Sequence, residues 1–370
     1  MVNNGNIPSL SVNKAIDQLS DTYVTAIGGG ISPKHLPSVM LWGPPGVGKS
    51  QAVRQIAKRI EEETGKECRV TDVRLLLFNP IDLRGIPTAN ADKTLAVWLK
   101  PQIFQMDESE KIVNILFLDE ISAAPQSVQA AAYQITLDRV VGEHRLPDNC
   151  IVMAAGNRVT DRSVAFKMPR ALANRLCHLE IKSNFDSWRQ WAIGAGINET
   201  VIGFLSFRND MLMSDSRNAE DDLAFPTPRS WEMVSNYLNI AGGDLERVYP
   251  LVSGCIGTGA AIELRAYSRL YSKLPDMEDI FNGKMPKMPT EGDALYALIS
   301  SMTAYAREHK RELKKIENSI VYAKKMPVDY STVLMQNYMA IEKGYKEKLM
   351  KLPEFYKWMQ SRGRYLNGSV

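Results

Sequence analysis

Residues 43–50 read Gly-Pro-Pro-Gly-Val-Gly-Lys-Ser, the spacing Gly-x4-Gly-Lys-Ser, and no other stretch narrows the fold so far. The apolar run Val39-Met-Leu-Trp42 leads into it, and a helical pattern from Ser50 to about Glu63 leads out, stopping at Gly65. Such a loop works when a strand holds its start and a helix N-terminus its end, because backbone N–H groups must converge on one anion. Gly43, Pro44, Pro45, Gly46, Val47, Gly48, Lys49, Ser50 and Gln51 are therefore the candidate phosphate-binding set. Lys49 would reach the β- and γ-phosphates of a nucleotide, and the Ser50 hydroxyl would ligate Mg²⁺. From average residue frequencies, a chance match in a chain of this length is on the order of 1%.

The pattern around the loop agrees with it. Further strands are expected at Arg69–Leu77, Ile112–Leu118, Cys150–Ala155 and His178–Ile181, with helices from Ser11 to about Ile27 and from Pro125 to Asp138. Ile112-Val-Asn-Ile-Leu-Phe-Leu118 is apolar almost throughout, which fits a strand covered on both faces. Alternating strands and helices give an α/β fold, a parallel sheet with helices on both faces. Phe78–Pro87 reads as an ordered loop, Leu95–Trp98 as one arm of a hairpin, and Arg139–Leu146 as a second hairpin turning near Gly142. After Asn184 the β signal fades. Residues 186–272 read as helices, a Pro/Gly/Met-rich linker covers 274–292, and a last helical segment follows to Tyr356. The expected domains are thus 1–184, an α/β nucleotide-binding domain, 185–275, an all-α lid, and 276–370, an α-helical C-terminal extension.

Composition excludes more than it identifies. Hydrophobic residues at 45% and charged residues at 24% are ordinary for a globular chain, which removes disorder and collagen-like folds. The net charge of +3 announces no nucleic-acid binder, although residues 301–370 carry 14 Lys and Arg against 7 Asp and Glu. No apolar run approaches the roughly 20 residues of a membrane helix. The first residues lack the basic and apolar regions of a signal peptide. Four scattered cysteines and four scattered histidines offer neither a disulfide framework nor a zinc site. These features read as a reduced, soluble, cytoplasmic protein.

Two further motifs carry chemistry. Leu116-Phe-Leu-Asp-Glu120 ends a buried strand in two carboxylates, an expensive arrangement unless they hold a cation or activate water. Asp119 would sit near Mg²⁺, and Glu120 would orient and deprotonate an attacking water. That second acid favours hydrolysis over transfer to a hydroxyl. Ala154-Ala-Gly-Asn157 ends the next strand in an amide able to hydrogen-bond the water or the γ-phosphate. Thr227-Pro-Arg229 fits the N-cap, N1 and N2 positions of a helix.

The order of these motifs resembles the AAA+ ATPases, and within them the MoxR-like branch, over roughly residues 10–270. The resemblance rests on Gly43–Ser50, Leu116–Glu120, Ala155-Gly-Asn157, Pro169-Arg-Ala-Leu-Ala-Asn-Arg175 and Pro226-Thr-Pro-Arg-Ser230. Asn79-Pro-Ile-Asp-Leu-Arg-Gly85 with the Trp98 hairpin looks like the inserted element of that branch. The resemblance implies that Asn157 is the sensor-1 residue and Arg229 the sensor-2 arginine of the lid. It implies that Arg175 is the arginine finger on ATP held by a neighbouring subunit, with Arg170, Arg158 and Arg162 as competitors. It also implies ATP and Mg²⁺ as cofactors, a homo-oligomeric ring of six, and a remodelled protein client. A von Willebrand factor A domain partner belongs to the same picture. By the same resemblance the Arg139–Arg145 hairpin and the Asp82-Leu-Arg84 loop face the pore or substrate.

Two rival readings stand beside this one. A DNA-acting motor or DNA-binding switch would use the basic tail, where Lys314, Lys315, Lys324 and Lys325 cluster, for phosphate contacts. A ring that binds ATP only to assemble would have no need of Glu120.

Overall fold

The computed structural model describes residues 7–158, 168, 173–214, 223–269, 274–342 and 344–362. The chain divides into two compact units, Met1–Asn184 and Phe185–Val370.

In the first unit the elements run β1 (Ser9–Ser11), α1 (Val12–Gly28), β2 (Val39–Trp42), α2 (Lys49–Thr64) and β3 (Glu67–Arg74). There follow α3 (Pro80–Arg84), β4 (Ile86–Ala89), β5 (Ala96–Leu99), β6 (Ile112–Asp119), α4 (Gln126–Asp138), β7 (Val140–Val141), β8 (His144–Arg145), β9 (Cys150–Gly156) and β10 (Cys177–Lys182). Six strands form one sheet in the order β1-β10-β2-β9-β6-β3, with every pair parallel. All strand C-termini therefore share one edge, where parallel α/β sheets bind ligands.

The two-residue period of the strands builds two cores from one sheet. Val39 and Leu41 of β2, Val113, Ile115 and Phe117 of β6, and Ile151 and Met153 of β9 face α1 and α2. Met40, Leu116, Leu118, Val152 and Ala154, their neighbours along the strands, face α4. Burying each large side chain contributes roughly 1.5–3 kcal/mol.

The structure departs from the sequence reading at several places. The segment expected as a loop at Phe78–Pro87 contains α3 and the start of β4. Asn79 begins the helix with a capping box closed by Asp82, and Pro80 occupies the first turn. These local signals are enough to nucleate five helical residues. The edge strand β1 was not expected at all. It is held by parallel pairing of Ser9–Ser11 with Glu180–Lys182, not by an apolar run of its own.

The second unit is helical among its described residues: α5 (Phe185–Ala195), α6 (Glu199–Phe207), α7 (Pro228–Ile240), α8 (Leu245–Ile256) and α9 (Thr258–Ser268). Then come α10 (Met277–Phe281), α11 (Gly292–Glu308), α12 (Leu313–Ala323), α13 (Val328–Met339), α14 (Tyr345–Met350) and α15 (Pro353–Arg362). A single apolar core runs from Trp188 through Trp231, Phe281 and Tyr338 to Trp358. The 274–292 linker is not featureless, since α10 buries Ile280 and Phe281 in that core. Among the described residues no helix is long and apolar enough to cross a membrane.

Candidate functional site

The loop between β2 and α2 is shaped by three glycines. Gly46 and Gly48 stand at φ +76° and +106°, in the left-handed region that side chains resist. Gly43 passes so close to β10 that a Cβ there would lie 2.6 Å from the Ile181 carbonyl oxygen. Gly43 also donates its N–H to the Gly156 carbonyl at 3.3 Å, tying the loop to the end of β9. Gly48 caps α2, so Lys49, Ser50 and Gln51 occupy the first turn and turn their amides toward the loop.

Lys49 is buried, yet its ammonium is satisfied from one small region. It donates to the Gly43 carbonyl at 2.6 Å, the Pro44 carbonyl at 3.0 Å and Asn157 Oδ1 at 3.0 Å. The two residues expected to meet a γ-phosphate, one opening α2 and the other just past the end of β9, thus touch each other. Asn157 Oδ1 accepts from Lys49, which leaves its amide N–H₂ as the donor for a third group.

The Ser50 hydroxyl donates to Asp119 Oδ2 at 2.8 Å, and the Glu120 backbone N–H donates to Asp119 Oδ1 at 2.8 Å. Both carboxylate oxygens are oriented. Glu120 itself stands at φ +59°, a left-handed conformation that a side-chain-bearing residue adopts only when its surroundings impose it. The imposition is visible: Ile121 N–H donates to the Ala155 carbonyl, and Ala123 and Ala124 N–H both return to the Glu120 carbonyl. The chain thereby turns sharply after β6 and leaves the Glu120 side chain at the C-terminal edge, half-buried.

Sequence reasoning missed the residue that joins these two strand ends. Ser122, which is buried, accepts the Asn157 backbone N–H on Oγ at 2.8 Å. Gly156 permits that approach, because a Cβ would meet Ser122 Oγ at 2.9 Å and the Met40 methyl at 2.8 Å. Gln129 of α4, also buried, donates to the Ser122 and Ala124 carbonyls at 3.3 and 2.9 Å. The available signal was Gln129, an amide set among Val128, Ala131 and Ala132 on the covered face of α4.

The arginines divide sharply. Arg158 is committed to Glu180 of β10, whose other oxygen lies 3.7 Å from the Lys182 ammonium. Arg175 is exposed, two residues before β10 begins. Because Cys177 pairs with Val39 at the start of β2, Arg175 stands at the sheet edge opposite its own phosphate loop. Four residues of strand separate the two edges, roughly 13 Å at 3.3 Å per residue. Arg170 and Arg162 lie outside the described residues. In the second unit, Thr227 caps α7 by accepting from Ser230 N–H, Pro228 follows at N1, and Arg229 is exposed in the first turn.

The two hairpins of the first unit pack on one another. His144 Nε2 lies 2.8 Å from the Trp98 carbonyl oxygen, and a Cβ on Gly142 would lie 2.4 Å from the Arg84 carbonyl oxygen. Exposed apolar side chains gather on the same stretch: Leu77, Ile81, Ile86, Leu95 and Leu99. Phe104 is fully buried; Trp98 is half-buried.

The tail lysines are mostly paired. Lys314 meets Glu317, Lys315 meets Glu312, Lys324 and Lys357 share Glu354, and Lys310 and Lys348 share Glu342.

Residues 39–180 match the family model "ATPase family associated with various cellular activities (AAA)". Replication factor C subunit 4 of Caenorhabditis elegans is 26% identical over 128 residues, which are 34% of this chain and 36% of that protein. The chain thus spans about a third of the length of that curated relative. A mutant RuvB of Thermotoga maritima is similar at a TM-score of 0.34 and 15% identity, over 79% of this chain and 84% of that one. An ATPase-like protein of Cytophaga hutchinsonii, described as a putative ATPase, is similar at a TM-score of 0.31 and 14% identity, over 85% and 94%. The first unit carries an AAA-family domain with a P-loop fold, a parallel sheet between helices, and many helices follow it.

Proposed function

We propose that this AAA domain hydrolyses ATP with Mg²⁺ in sites shared between copies of the chain, and that the cycle remodels a protein client. The observation that carries the hydrolytic half is the meeting of Lys49, Ser50, Asp119, Glu120 and Asn157 at one sheet edge, above a loop of inward-facing amides. Ser50 Oγ and Asp119 Oδ2, 2.8 Å apart, are hard oxygen donors of the kind Mg²⁺ takes alongside phosphate and water. That ion, when bound, would supply positive charge to the β- and γ-phosphate oxygens. The first-turn amides and Lys49 would hold the phosphates, with Lys49 leaving the Gly43 and Pro44 carbonyls to do so. The Asn157 amide would orient the water from one side, while the Glu120 carboxylate takes its proton.

Sharing between copies follows from Arg175. A guanidinium at the opposite edge of the sheet is out of reach of its own loop but is free to approach the loop of another copy. Charge supplied this way is worth roughly 10³ to 10⁵ in rate. Arg229, with its own charge added to the N-terminal end of α7, is the second arginine proposed to face the phosphates. Six copies in a ring, the MoxR-like branch and a von Willebrand factor A domain partner come from the motif resemblance alone. The client reading is favoured over DNA by the paired tail lysines and by the exposed apolar side chains on the 77–99 stretch.

The test is steady-state ATPase rate against protein concentration for wild type and Arg175→Ala, with and without duplex DNA. Specific activity should climb with concentration, and Arg175→Ala should bind ATP yet turn over at least 10³-fold more slowly. A flat profile with a normal mutant would end the shared-site reading at this arginine. DNA stimulation would put the DNA-acting reading first.

A further inference from the structure

Trp42 is the last residue of β2, and its peptide leads directly into Gly43, whose carbonyl Lys49 holds. The indole of Trp42 does not simply pack. Its Nε1–H donates to His178 Nδ1 at 2.9 Å, and the two rings stack with centroids 6.0 Å apart and planes 24° from parallel. An indole N–H has no acceptor role, so Nδ1 must be the bare nitrogen and the ring proton sits on Nε2. That Nε2 lies 2.7 Å from the Ala173 carbonyl and donates to it. Ala173 in turn accepts the Leu176 N–H at 3.4 Å, while Cys177 N–H is fixed to the Ser38 carbonyl at 3.0 Å. Residues 173–177 are thereby strung between β2 and one imidazole, and Arg175 lies in the middle of them.

We infer that His178 is the positioning residue of the arginine finger: it joins the strand feeding a subunit's own phosphate loop to the segment that presents Arg175 to the next subunit. This inference rests on the shared-site reading and adds a direction to it. Both ring nitrogens are used, one toward each element, so no apolar ring substitutes for the imidazole. When Lys49 leaves the Gly43 carbonyl for a phosphate, the Gly43–Pro44 peptide is released one residue beyond Trp42, whose indole is hydrogen-bonded to the His178 imidazole. A subunit's nucleotide state thus acts on the arginine it lends, not on the one it receives.

The experiment is complementation in mixed assemblies. His178→Phe keeps a flat ring and loses both hydrogen bonds. Alone, it should bind ATP within twofold of wild type and turn over about 10- to 100-fold more slowly, the size of effect a misplaced catalytic group produces. Glu120→Gln subunits, inactive themselves, keep a sound Arg175 segment. Coexpressed at equal amounts, they should restore His178→Phe sites to about half the wild-type rate per active subunit, since random assembly gives half of those sites a sound neighbour. Wild type mixed with Glu120→Gln sets the reference, and Arg175→Ala mixed with Glu120→Gln must recover in the same way. If the Arg175→Ala mixture recovers and the His178→Phe mixture does not, His178 serves its own site and the inference is wrong. If neither recovers, the shared-site reading fails and takes this inference with it. Should His178→Phe fail to fold, Trp42→Phe decides: it removes the N–H together with part of the stacked ring, leaves the His178–Ala173 bond in place, and should show a smaller loss with the same recovery, and no recovery overturns the inference.

Discussion

Glu120 owes its usefulness to a backbone it would not choose. At φ +59° the residue sits where non-glycine side chains are uncommon, held by the hydrogen bonds of Ile121, Ala123 and Ala124 on the turn after β6. Glu120→Gln keeps the shape and removes the base, so ATP binding and assembly should persist while turnover falls about 10²- to 10⁴-fold. Single-turnover kinetics beside equilibrium nucleotide binding would check it, and hydrolysis at the wild-type rate would remove Glu120 from the mechanism. Ser122→Ala is the quieter case. It leaves the Asn157 N–H without its buried acceptor, which costs about 1–3 kcal/mol and should lower the melting temperature. Because Asn157 also touches Lys49, kcat should fall more than ATP affinity, and Ser122→Thr, which keeps an oxygen, should recover part of it. At this scale the sequence was legible where chemistry demands a fixed spacing, as in Gly43–Ser50. Ser122 was illegible because one hydroxyl meeting a backbone N–H across 35 residues leaves no local pattern.

Among the elements, the buried strands were plain because covered parallel strands must be apolar on both faces, and β6 and β9 are. β1 has three residues and no such run, and it exists through its pairing with β10, a contact 171 positions away in register from Ser9 to Glu180. The α3–β4–β5 region was half legible. The turn signals of Asn79, Pro80 and Gly85 are there in the sequence, but they mark a boundary without saying that a helix and a hairpin arm fill it. Gly85 is the pivot of that arrangement, at φ +88° with the Leu99 carbonyl oxygen 1.9 Å from where a Cβ would stand. Gly85→Ala should therefore force the β4–β5 hairpin apart, since neither the backbone angle nor the space allows the methyl. Limited proteolysis should cut faster within residues 85–100, while ATP affinity, set at the other elements, should stay within about twofold. An unchanged digestion pattern would show that the hairpin accommodates the methyl.

For the whole molecule the question is what the basic tail does with its charge. Counted as sequence it offers phosphate contacts; folded, most of its lysines already have carboxylates. The hydrogen bonds from Lys310 and Lys348 hold the Glu342 carboxyl down to about 2, and those from Lys324 and Lys357 do the same for Glu354. A carboxyl lowered in the folded state lends stability that is present above its ordinary value of about 4.3 and is lost as pH falls through about 2. The second unit should accordingly weaken over that acid window, and Glu342→Gln with Glu354→Gln should flatten the loss. The same double substitution tests the DNA reading. Wild type should neither bind duplex DNA appreciably at 0.15 M salt nor be stimulated by it. With four lysines released, affinity should rise and the plot of log affinity against log salt should steepen by up to about 3.6, near 0.9 for each phosphate newly neutralised. Wild type that already binds with a steep salt slope, and hydrolyses faster when it does, would mean that other cations carry the contact. The client would then be nucleic acid, and the paired lysines would be a detail of folding.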